Sequence, residues 1–165
     1  MKEDSSEGAF VIHDNDLART IYKSILDAYS DAITLGDFSR FLPFFHLPLV
    51  LETFEGERTV DTPEVLRFVF NGLHDSQHDL DIVEVKRTCS VAQFVGPDEI
   101  RAVHETKLID RSGIVQQAYT GLCTMCQIDG QWQLTRCQFA EEKVSQPTLA
   151  LRGIVQQNKN DTAAQ

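Results

Sequence analysis

At 165 residues, 42% hydrophobic and 24% charged, the chain has the length of one domain and enough apolar content to bury a core. A net charge of −10 with no Lys/Arg-rich run argues against nucleic acid and anionic membrane surfaces as partners. The polar start, Met1 to Gly8, lacks the apolar core of a signal peptide and no apolar run is long enough to span a bilayer, so the expectation is a cytoplasmic protein with four free thiols.

From Leu17 to Leu35, Leu17, Ile21, Ile25, Ala28 and Ala32 recur at three- and four-residue spacing and predict one amphipathic helix. Asp14, Asn15 or Asp16 can cap its first turn, and Gly36 suits a left-handed residue at its end. Asp37 offers a cap for a short second helix with Phe38, Phe41 and Leu42, which Pro43 must end. Leu49 to Phe54 reads as a strand, Glu55-Gly56 as a turn and Arg58 to Val60 as the returning partner. Asp61-Thr62-Pro63-Glu64 opens a third helix with Val65, Leu66, Val69, Phe70 and Leu73 on one face, fading near Ser76.

After Leu80 the texture turns β-branched and aromatic, cut by Gly96-Pro97-Asp98, Asp110-Arg111-Ser112-Gly113 and Asp129-Gly130. The runs predict a meander of four long antiparallel strands over Leu80–Val95, Glu99–Ile109, Ile114–Ile128 and Gln131–Ala140. They exceed the usual length of about five or six residues, so the sheet must twist and bend at bulges. One bulge is expected in the first of them, where the alternation slips between Val83, Val85, Cys89, Val91 and Phe94. The fold class is α+β, with N-terminal helices in the hollow of a curved antiparallel sheet. Its domain is expected over 15–141, flanked by a flexible 1–14 and a partly disordered 142–165.

The order helix, short helix, hairpin, helix and four-strand meander resembles the nuclear-transport-factor-2-like superfamily, which includes SnoaL-like polyketide cyclases and ketosteroid isomerases. The residues that carry the likeness are Ala28-Tyr29 with Leu35-Gly36-Asp37-Phe38, the run Phe45-His46-Leu47-Pro48-Leu49-Val50-Leu51-Glu52, and Asp129-Gly130-Gln131-Trp132. The resemblance implies a cone-shaped cavity for a small apolar or aromatic molecule, and a homodimer formed through the outer face of the sheet. It also places Tyr29 where the isomerases keep a tyrosine that hydrogen-bonds the substrate oxygen. Their aspartate base falls on Thr53, which cannot serve, and no carboxylate stands near Thr124.

Beside the resemblance, individual residues suggest chemistry. Glu52 shares a strand face with Val50 and Phe54, and a carboxylate held among apolar neighbours would have its pKa raised toward general-base range; a hairpin near an open rim would instead leave it wet. His104 alternates with Ile100, Ala102, Thr106 and Leu108 and lines either a pocket or the core. His46, between Phe45 and Leu47, is a rim residue. Arg136, in step with Trp132 and Leu134, would need a buried acid or a ligand carboxylate on that face. Tyr29 and Tyr119 can each present a hydroxyl. The candidate catalytic residues are thus Glu52, His104 and Tyr29, and the candidate ligand contacts His46, Phe54, Tyr119, Trp132 and Arg136.

His74 and His78 have the spacing of two metal ligands on a helical turn, but no third ligand is evident and they suit the negative end of the helix dipole. Cys123 and Cys126 point to opposite faces of a strand and make no zinc or redox pair. Neither metal nor cofactor is expected. These features together point to a small-molecule-binding domain. A cyclase, isomerase or dehydratase using a pocket Glu or His is the alternative, and a non-catalytic interaction module the third reading.

Overall fold

The computed structural model describes residues 15–140, so the expectations for the flexible start and the C-terminal tail lie outside the described residues. Helix α1 spans Asn15–Leu35 and buries Ala18, Tyr22, Ile25, Leu26 and Ile33 on one face. It stops at Gly36, whose φ of 69° only glycine adopts freely. There the Asp37 amide donates to Ala32 O at 3.0 Å and the Gly36 amide to Ile33 O at 3.1 Å, the paired closure of a Schellman end. The Asp37 carboxylate then accepts from the Arg40 amide and caps α2, Phe38–Phe41. A 3-10 turn, Leu42–Phe44, carries the chain over Pro43 into β1.

Strand β1 runs Phe45–Thr53, four residues earlier than its apolar run suggests, and pairs with β2, Gly56–Val60. Helix α3, Pro63–Asp79, begins where Thr62 Oγ1 accepts the Val65 amide at 3.3 Å. Four strands follow: β3 Ile82–Gly96, β4 Glu99–Asp110, β5 Val115–Ile128 and β6 Gln131–Ala140. Asp129 and Gly130, both at positive φ, make the last tight turn.

The sheet order is β2-β1-β6-β5-β4-β3. Its meander is antiparallel as expected, but β1 pairs with β6 in parallel, so the sheet is mixed. Parallel neighbours need a long crossover, and everything from β2 to β5 supplies one. The expected bulge lies between Cys89 and Val91. Among further register shifts, one on β6 leaves Thr135 unpaired, because Thr124 faces Arg136 while Met125 faces Leu134.

These registers align the inward side chains in rows across the sheet. Arg87, Thr106 and Tyr119 form one row; Cys89, His104, Gly121 and Phe139 the next; Ala92, Ala102, Cys123 and Cys137 a third. The helices cover that concave face. Rings of Phe38, Phe41, Phe45 and Phe70 knit the two layers, with Phe41 4.5 Å from Phe45 and 5.0 Å from Phe70 between ring centres. No helix among the described residues is long and apolar enough to cross a membrane.

Candidate functional site

Between helices and sheet lies a cavity of about 60 Å³. Most of its wall is apolar: Phe41, Phe45, Leu49, Leu66, Val69 and Leu134 contribute from four elements. The polar part of the wall is made by Tyr29 of α1, Arg87 of β3, His104 of β4, Tyr119 of β5 and Cys137 of β6. Tyr29, Leu73, Arg87 and Phe139 are half-buried and mark where the cavity approaches solvent.

His104 is 1% exposed and held from two sides. Its Nδ1 hydrogen-bonds the Tyr22 hydroxyl at 2.7 Å. Its ring lies over Gly121, where an added Cβ would come within 2.5 Å of Cε1. Its Nε2 is buried with no hydrogen-bond partner among the described residues. Burial pushes the phenols of Tyr22 and Tyr29 well up, so both stay neutral and able to donate. Contact with Cys123 and burial push the Cys137 thiol up as well, which makes it a poor nucleophile.

Arg87 is the unexpected member of the wall. Its Nη1 donates to Ser30 Oγ, its guanidinium carbon lies 5.0 Å from the centre of the Tyr29 ring, and the Tyr119 hydroxyl hydrogen-bonds it. Its Nε is buried with no partner among the described residues. No ion pair among the described residues includes Arg87.

Three of the residues singled out in the sequence, Tyr29, His104 and Tyr119, come together on this wall. The others do not. Glu52 does share a face with Val50 and Phe54, but it is the outer face, because Leu49, Leu51 and Thr53 are the buried set. Its carboxylate accepts from Gln138 Nε2 and Arg136 Nη2, each at 2.7 Å, and these bonds hold its pKa below the usual range, where burial among apolar groups was expected to raise it.

Arg136 also reaches Glu57 at 2.9 Å. The bulge at Thr135 puts it out of step with Leu134 and sends it outward, so neither a buried acid nor a cavity ligand is its partner. Phe54 is 59% exposed, His46 is half-buried away from the cavity wall, and Trp132 packs edge-on against Phe94 at 6.0 Å.

Thr53 accepts the Glu55 amide at 3.3 Å, and no carboxylate lines the cavity among the described residues. His74 donates its Nδ1–H to Ile33 O at 2.7 Å and so closes the end of α1. Arg87 escaped attention although one signal was present: it stands in alternation between Val85 and Cys89 on the inward side of β3.

No protein-family model and no curated protein matches the sequence. Solved structures do match in fold. A nuclear-transport-factor-2-like protein with a cystatin-like fold from Novosphingobium aromaticivorans superposes with a TM-score of 0.60 at 14% identity, over 84% of this chain and 88% of its own. A ketosteroid isomerase-like protein from Erwinia carotovora atroseptica gives 0.57 at 16% identity, over 76% and 97%. A candidate scytalone dehydratase from Novosphingobium aromaticivorans gives 0.57 at 12% identity, over 80% and 89%. The chain has the nuclear-transport-factor-2-like, cystatin-like fold; at these identities the likeness speaks for architecture alone.

Proposed function

We propose that the protein is a small-molecule-binding domain and that the cavity between its helices and sheet is the binding site. The observation that carries this reading is an apolar cavity whose polar groups converge on one wall, the usual form of a ligand site. At about 60 Å³ it is smaller than the roughly 150 Å³ that accommodates a benzene ring, so a ligand of more than a few heavy atoms must move a half-buried lining side chain such as Leu73 or Phe139. A thermal-shift screen of small neutral and acidic apolar compounds tests it. A ligand present at about 100 times Kd adds about 2.7 kcal/mol to native stability, a rise of several degrees, and Leu134→Phe, which fills the cavity, should abolish the rise. A flat screen would overturn the binding reading and favour the interaction module.

A second reading, an isomerase, cyclase or dehydratase activity, is supported by His104 rather than Glu52. His104 lines the cavity with its Nδ1 fixed by Tyr22 and, among the described residues, no hydrogen-bond partner on Nε2, the posture of an oriented base, and Tyr29 offers a neutral phenol to a carbonyl. Deuterium exchange at the α-carbon of a small cyclic ketone, followed by NMR, tests it. Exchange lost in His104→Gln supports the reading; equal exchange in both proteins ends it.

The outer face of the sheet is proposed as the surface of a homodimer. Val91, Val103 and Leu122 lie side by side there across three strands, with Val91 39% and Leu122 42% exposed. Light scattering should give twice the chain mass for the parent and the single-chain mass for Leu122→Lys; a monomeric parent would contradict it.

A further inference from the structure

Among the described residues Arg87 is the one cation on the cavity wall, and no acidic side chain pairs with it. A guanidinium keeps its charge in any protein environment, and a charge withdrawn from water needs a partner. Its contacts are neutral: Ser30 Oγ, the face of Tyr29 and the hydroxyl of Tyr119. Among the described residues the buried Nε has no acceptor, and neither has the hydroxyl of Thr106, directly opposite on β4 and 0% exposed. Native interiors rarely leave such donors unpaired without a functional reason.

The surroundings point the same way. Arg87 separates the cavity from a groove between α1 and β3 that is also lined by Arg19, Lys23, Lys86, Asp27 and Glu84. With Arg87 that is four cations against two acids, and Asp27 is held by Lys23 at 2.9 Å. This locally positive region sits in a chain of net charge −10 and favours the approach of an anion.

We infer that Arg87 is an anion-binding residue and that the cavity takes a small monocarboxylic acid, its carboxylate on the Nε edge of Arg87 and its apolar body against Phe41, Leu49, Leu66 and Leu134. The inference rests on the binding reading above and narrows it to one ligand class. A single planar fork matches the two oxygens of a carboxylate, whereas a phosphate dianion would call for more donors than this wall supplies.

The test is isothermal titration with butanoate, hexanoate and benzoate, each paired with its primary amide, on the parent, Arg87→Met and Arg87→Lys. The parent should bind each acid at least tenfold more tightly than its amide. Arg87→Met should lose that preference while still binding the amides, and Arg87→Lys, which keeps the charge without the fork, should fall between. Acids and amides binding alike in the parent, or a preference that survives in both variants, would overturn the inference and leave ligand binding standing. Absence of binding by every acid and amide would overturn both.

Discussion

A β-carbon placed on Gly121 would lie 2.5 Å from Cε1 and 2.9 Å from Nε2 of His104, so the glycine is the seat of the histidine ring. Gly121→Ala must push the ring off β5 and strain its 2.7 Å bond to Tyr22. The expected cost is about 1–3 kcal/mol, as for other overpacked cores, read as a lower urea midpoint. An unchanged midpoint would mean that the ring has room to move.

Tyr22→Phe removes the partner of His104 Nδ1 and leaves a buried ring nitrogen unsatisfied. A loss of about 1–3 kcal/mol is expected. Adding His104→Leu should cost less than the sum of the two single changes, because no orphaned polar atom remains. Simple additivity in a double-mutant cycle would show that the two residues are not coupled.

Asp110 is held to a pKa of about 2 by Ser112, whose hydroxyl donates at 2.6 Å, with further bonds from the Ile114 amide and Gln116. Because the folded value lies below the unfolded one, near 3.9 by ordinary carboxylate behaviour, its stabilising effect is present above about pH 4 and fades as pH falls toward 2. Asp110→Asn should be less stable than the parent at neutral pH, with the difference closing in acid. A difference independent of pH would contradict the assignment.

Arg87→Met should be as stable as the parent or more so, since it exchanges a half-buried cation with only neutral partners for apolar volume. A structural arginine would behave oppositely. A loss of more than about 2 kcal/mol would place Arg87 among the residues that hold the fold.

Glu52→Gln should leave ligand titrations unchanged, because Glu52 lies on the outer face with Arg136 and Gln138. The bonds from Gln138 and Arg136 depress its pKa, so its contribution is present above the ordinary glutamate range and is lost as pH falls through the lowered value. Weakened binding of small acids or amides at neutral pH would put Glu52 back into the site.

The elements were legible because long β-branched and aromatic runs mark the strands of the meander and the turn at Asp129-Gly130 and the helix start at Thr62-Pro63 have their own chemistry. The parallel join of β1 to β6 was not, since pairing partners far apart in sequence leave no local trace. Site errors came from strand faces. On β1 both alternating sets contain apolar residues, so the sequence could not say whether Leu49 and Leu51 or Val50 and Phe54 turn inward; the answer sent Glu52 outward. On β6 the bulge at Thr135 broke the step from Leu134 to Arg136. Arg87 was hidden for a different reason: an arginine within an apolar alternation reads as a solvated side chain until the helix above it is placed.

The most direct test of a ligand site inside the cone is a methyl-resolved NMR titration of the protein with hexanoate. Shifts should be confined to methyls of the cavity wall, those of Leu49, Leu66, Val69, Leu73 and Leu134 among them, with Val91 and Leu122 on the outer face unmoved. Movement restricted to the outer-face methyls, or no saturable movement anywhere, would contradict the account.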